Sequence, residues 1–533
     1  MNAFRASAVA GLALGLLLQT AGAQTGVGFD DRKSGFLTVA TGGMPSDAWG
    51  STSLATAKRL ISALAAAPRS RALRDLQFKV MVSDLVPPPA DNSPAPSLFA
   101  RKVERLAAMG EGESLNEVVR TADAYSDPDI ASTVVNAMMM AGERAGACNI
   151  VAKYALTQPF GHRAQAACKL ASGDNAGAMA MVEQLSPRDA ILIRLVQVAA
   201  GGLPPSQAPQ TTLDGPAMLM LDLAHVAPPP AVLSSTQPAM IRALVGHRSL
   251  PVATRIDIAE RGEALAVIEA TRLSDLYAQA IKDQAALPAA MGLRARLVAA
   301  AHDAANAQEI MSSITAVYDE TRGSPLFPTL ARASASALLH LPPKPEYANV
   351  AQEAMRGFLL LGDEQLALAW TKLALQAAYN NARAMMALDR LMPLVMIAGI
   401  DKATHLDVRD VNRWYEVIRQ EDARAAPLRG NLLLQLFRAT GYDLAPHATV
   451  LPEAPPPLRL YLPPPATLQA LDMAARDHRR AETALLAAAA IGETPLTELH
   501  PAAVGAIVRA LREADEDHTA RLFAIEVAIA YGL

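Results

Sequence analysis

The stretch 142–159, GERAGACNIVAKYALTQP, returns in altered form as GDNAGAMAMVEQLSP from Gly173 and as GDEQLALAWTKLAL from Gly362. Each copy has a glycine, an acid directly after it, and an alanine five residues on: Ala147, Ala178 and Ala367. Glycine takes the left-handed conformation that ends a helix, an acid suits the first turn of the next, and alanine lets two helices approach closely. The first two copies start 31 residues apart, close to the length of a helix–turn–helix unit. Gly142, Ala147, Gly173, Ala178, Gly362 and Ala367 are therefore read as the turns of a repeating helical hairpin.

The rest of the 533-residue chain speaks the same language. Alanine and leucine dominate it and aromatics make up 4%; alanine is the best helix former and leucine is close behind. So few aromatic faces argue against a carbohydrate platform or a base-stacking surface. Helix punctuation recurs. In SDPDIASTVVNAMMMAGE, Asp127 caps, Pro128 takes the first helical position and Gly142 stops the run. Ser186 and Pro187 open SPRDAILIRLVQVAAGG in the same way, and 500–533 reads as two closing helices. No segment alternates in the way a half-buried strand does. The expected fold class is all-α.

The glycine–acid–alanine pattern resembles tetratricopeptide and Sel1-like helical-hairpin repeats, over about a third of the chain. Pro159, seventeen residues after Gly142, stands where that family places its closing proline. The resemblance implies an α-solenoid of antiparallel hairpins with an extended concave face for holding other macromolecules.

Proline and the termini suggest the divisions. Residues 1–23 have the form of a cleaved signal peptide: Arg5, an apolar run from Ala6 to Leu18, and Ala21-Gly22-Ala23 before Gln24. An uncleaved anchor is the alternative, though the run falls short of the about 20 residues a span needs. Residues 24–53 read as an irregular arm or cap carrying Trp49. Helical blocks are expected at 54–202, 231–340, 341–450 and 467–533. Proline-rich linkers are expected at 203–230 and 451–466, since such runs form stiff extended spacers. No later apolar run reaches membrane length; the longest, 391–400, is bounded by Asp389-Arg390 and Asp401-Lys402. The formal charge of −4 gives no attraction to nucleic acid, and the basic knot Arg476–Arg480 reads as a solvated helix face. The chain is expected to be periplasmic or secreted, with no membrane span in its mature part.

Chemistry is hard to find. The only two cysteines, Cys148 and Cys168, flank TQPFG at 157–161. Folding two helices back at that point sets them at one height, as a disulfide requires, and export makes the bond plausible. Two buried free thiols are the alternative. A zinc site needs about four ligands, and only His162 is near; a redox pair would be C-x-x-C. The ten histidines are never closer than 18 residues, so H-E-x-x-H and related motifs are absent, as are G-x-S-x-G and the Walker A pattern. Glu113-Ser114 resembles the catalytic Glu-Ser of soluble lytic transglycosylases, but the Gly-Leu-Met-Gln stretch expected after it is missing. The pair is read as capping the helix at 114–123. Clustered methionines (Met138–Met140, Met385-Met386, Met392, Met396) suit helical cores better than copper carriage.

These readings name no catalytic, cofactor-binding or metal-ligating residue. They lead to an exported helical-repeat scaffold for protein or peptide partners in the bacterial envelope. The alternatives are an envelope enzyme acting on peptidoglycan or polysaccharide with a site built from distant residues, and a purely structural spacer.

Overall fold

The computed structural model describes residues 35–533 apart from 92, 94, 157–158, 186–189, 203–212, 322, 380, 402–406 and 443–458. The expected signal sequence, the expected cap at Ser186 and much of both expected proline linkers lie outside the described residues. Among the described residues there are 25 α-helices and no β-strand, only the isolated bridges Leu37–Ser83 and Tyr461–Leu499. No helix among them is long and apolar enough to cross a membrane.

The first third holds α1 (Leu54–Ala63), α2 (Arg71–Val82), α3 (Leu98–Ala108), α4 (Gly112–Thr121), α5 (Pro128–Ala141), α6 (Arg144–Tyr154), α7 (Pro159–Ala171), α8 (Asn175–Met181) and α9 (Ala190–Ala199). There follow α10 (Gly215–Leu223), α11 (Pro238–Gly246), α12 (Val252–Ala264), α13 (Ala270–Lys282), α14 (Ala289–Asp303), α15 (Ala307–Thr321), α16 (Phe327–Leu338) and α17 (Ala351–Leu361). The last third holds α18 (Glu364–Ala378), α19 (Ala382–Ala398), α20 (Val408–Glu421), α21 (Ala426–Ala439), α22 (Pro465–Arg476), α23 (Arg480–Ile491), α24 (Pro501–Glu513) and α25 (Asp517–Ala530).

Start signals act as side-chain chemistry predicts. Ser53, Ser70, Ser97, Asp127 and Asp214 each accept a hydrogen bond from a backbone N–H in the first turn of the helix they precede. Pro128, Pro216, Pro238, Pro465 and Pro501 occupy the first helical turn, where no N–H is missed.

Most helices pack against their neighbours in sequence, and two departures from that order shape the molecule. The first concerns the expected linker 203–230. Residues 215–223 inside it form α10, buried along nearly its whole length and packed on α5, α7 and α9. Gly215 permits this: a Cβ there would lie 2.7 Å from the Asn136 carbonyl oxygen and from Met139 Cβ on α5. The prolines punctuate helices here and do not hold two blocks apart, because α11 also packs directly on α3 and α5.

The second departure brings the two ends of the chain together. α1 and α2 pack on α23, and α2 packs on α25, which also meets α17, α19 and α21. The irregular segment from residue 35 seals this junction. Met44 and Trp49 are buried in it, Ala481 N–H donates to the Ala48 carbonyl at 2.9 Å, and Thr52 Oγ1 donates to Glu482 at 2.7 Å. Burying an indole of this size contributes about 2–3 kcal/mol.

Candidate functional site

At the repeat turns, Gly142, Gly173 and Gly362 adopt φ of 88°, 80° and 72°, and Ala147, Ala178 and Ala367 are fully buried behind them. The acids differ in what they do. Asp174 accepts from Gly177 N–H and Asp363 from Leu366 N–H, each capping its own helix. Glu143 instead reaches back to accept from Glu113 N–H at the start of α4. Burial pushes the Glu143 carboxyl up. The Glu113-Ser114 pair therefore sits in a first turn served by a neighbouring carboxylate. Gly112 makes room for it: a Cβ there would lie 2.9 Å from Met138 Cα.

Cys148 on α6 and Cys168 on α7 form a disulfide with Cα atoms 5.5 Å apart, and both are half-buried against the core. Met138–Met140, Met392 and Met396 are buried packing groups, whereas Met385, also expected in the core, is exposed; the Met386 side chain lies outside the described residues. The basic knot is paired, Arg476 with Asp472, Arg479 with Glu482 and Arg480 with Glu516. Among the described residues no three His, Cys, Asp or Glu side chains converge as metal ligands would.

A buried charge cluster lies where the chain closes. The Glu263 carboxylate on α12 is completely buried and receives Arg71 of α2 at 2.8 Å and both Nε and Nη2 of α16's Arg332 at 2.7 and 2.9 Å. Burial opposes its ionisation, yet the two guanidiniums hold its pKa below the ordinary value. On either side of Arg71, Ser70 Oγ and Ala72 N–H at the N-terminus of α2 donate to Glu526 of α25 at 2.6 and 3.0 Å. Burial outweighs these donors and raises the Glu526 carboxyl. Glu111, at the start of α4, bridges Arg74 of α2 and Arg242 of α11. Six helices, α2, α4, α11, α12, α16 and α25, are thus tied together by these carboxylates.

Two further perturbed groups stand apart. Lys102 on α3 is 7% exposed, and burial pulls its ammonium down to about 8 against the pull of Asp84. His247, between α11 and α12, is 2% exposed and lies 3.7 Å from Asp222. A catalytic His–carboxylate pair must reach a substrate. This imidazole is sealed from solvent.

A shallow hollow opens beside the third repeat turn. Phe358, Leu359 and Ala367 form its apolar floor with Leu522 and Ile525 of α25, while Glu364, His518 and Arg521 stand at its rim. His518 Nδ1 lies 3.0 Å from Glu364, linking α25 to α18, and Arg521 donates to the Ile397 carbonyl at 3.0 Å. The free volume is about 20 Å³. That is room for about one water, against the roughly 300 Å³ or more of a small-molecule site.

No family model, curated protein or solved structure matches this chain.

The repeat turns brought two of the sequence-derived residues, Gly362 and Ala367, to this hollow; Gly142, Ala147, Gly173 and Ala178 lie at the disulfide-bonded end. Leu522, His518 and Arg521 carried no sequence signal, because they reach the hollow only through the return of α25. Glu263 and Glu526 were invisible for the same reason.

Proposed function

We propose that the chain is an exported helical-repeat scaffold, an α-solenoid of tetratricopeptide-like hairpins drawn closed end to end. It binds a protein or peptide partner in the bacterial cell envelope and performs no chemistry of its own. The observation that carries this reading is the hollow beside Gly362: a shallow apolar floor, ringed by Glu364, His518 and Arg521. A buried apolar anchor inside a charged rim is how partner surfaces concentrate binding energy. The disulfide accords with export, since such bonds persist in oxidising compartments. The signal sequence at 1–23 supplies the route.

The test is photo-crosslinking in the native envelope from residue 364, whose side chain is 55% exposed. A control probe at residue 409, 90% exposed on α20, reports background. The scaffold reading expects the same partner band from residue 364 in repeated preparations, lost on Leu522→Arg and absent from the control. Identical patterns from both positions, or no band from either, would overturn it.

A further inference from the structure

His247 sits at the centre of a group of charges that the proposed scaffold role does not use. Its ring is 2% exposed, and neither nitrogen has a hydrogen-bond partner. Asp222 of α10, 3.7 Å away, is already engaged on both oxygens. Its Oδ1 accepts from Arg248 N–H at 2.7 Å, and its Oδ2 accepts from Arg144. Arg144 is the first residue of α6, directly after the Gly142-Glu143 turn. Arg255 of α12 closes the group from the other side, its Nε donating to the Val245 carbonyl at 2.9 Å. The charged groups facing His247 are therefore Asp222, Arg144 and Arg255, with Arg248 on its own loop and Arg272 of α13 beyond Arg255.

A neutral imidazole is tolerated in this setting. A protonated one is not. The single carboxylate is already shared between a guanidinium and a backbone amide, so an added positive charge would face arginines with little water to screen it. The cheapest relief is for Arg144 to leave Asp222 for solvent, which it can do because its side chain is already 32% exposed. Asp222 then turns to the imidazolium. The Arg144–Asp222 pair ties the start of α6 to α10, so its loss frees the turn that leads into the disulfide-bonded helices.

We propose that His247 is a proton-operated latch, closed while its imidazole is neutral and opened by acidification, which releases the start of α6 from α10. The only chemistry is uptake of one proton from solvent onto a ring nitrogen. The direction agrees with the electrostatics: burial, with Arg144 and Arg255, holds the imidazole pKa below its ordinary value despite Asp222. The folded state thus resists a proton that the unfolded chain accepts, and protection falls as pH drops below about 6.5.

Hydrogen exchange of the full chain between pH 7.5 and 4.5, corrected for intrinsic amide rates, tests the latch. Peptides covering 143–154 and 215–226 should open up to about tenfold more per pH unit once below about 6.5, the limit for one proton. Peptides from α20 should not follow. In His247→Gln the rise disappears. Arg144→Gln, on a 32% exposed side chain at the start of α6, removes a facing cation and frees Asp222, so the rise shrinks there too. An equal rise in wild type and both variants overturns the proposal, as does a wild type that shows none by pH 4.5.

Discussion

Between α6 and α7 the chain is held by one covalent bond across 20 residues of sequence. Between α2, α12 and α16 it is held by a buried carboxylate whose arginines arrive from 192 and 69 residues away. The first tie is local: α6 and α7 are consecutive helices packed side by side, and the bond fixes that pairing. The second is wholly non-local, and most of the helices must be in place before Glu263 meets both partners. A local staple limits the unfolded chain. A buried ion network gives little net stability over an apolar core but makes any wrong pairing costly. The closed junction is therefore specified by charge more than it is cemented by it.

The sharpest way to break this contrast is Glu263→Gln. It takes from Arg71 and Arg332 the carboxylate that both contact, and the loss expected in denaturant unfolding is about 3–5 kcal/mol. Because the Glu263 pKa is held down in the fold, its contribution is present above the unfolded carboxyl value of about 4.3 and is lost as pH falls below it. The variant should show a flatter acid limb. Cys148→Ser comes next, at about 3 kcal/mol for a loop of this size. That loss should appear in oxidised samples only; an equal loss after reduction would assign the effect to packing.

Lys102 offers a third handle, in the opposite pH range. Its pKa is about 8 in the fold and about 10.4 in the unfolded chain, so the unfolded state binds the proton more tightly. Wild-type stability should rise between pH 8 and 10 by on the order of 2 kcal/mol relative to Lys102→Met, read by paired melts.

Smaller effects separate the two ends of the repeat pattern. Gly142→Ala meets only backbone strain at φ 88°, with no atom within 4 Å of the new Cβ, and should cost about 1 kcal/mol. Gly362→Ala adds contact with Leu522 at 2.9 Å and should cost about 1–2 kcal/mol. Equal losses would mean that α25 does not pack on the α17–α18 turn. Arg409→Ala, on a side chain 90% exposed, should leave the melting temperature unchanged.

Local features were legible in the sequence, and closure was not. Asp127, Pro128 and Gly142 announced a helix and its stop because capping is decided within a few residues. The disulfide followed from two cysteines set evenly about a turn. Asp214 and Pro216 obey the same rules and start α10; the prolines around them give the segment the composition of a spacer, while Pro216 serves as a helix start. Glu263, Arg332 and Glu526 look like ordinary surface charges in their own helices. Only the return of α25 to α2 buries them together, and no short-range pattern encodes that return.

Small-angle X-ray scattering of the chain from residue 24 onward tests the end-to-end closure most directly. Closure predicts a radius of gyration of about 24 Å, the value for a compact chain of this length. A markedly larger radius, with the long-tailed distance distribution of an open rod, would contradict the contacts of α2 with α23 and α25.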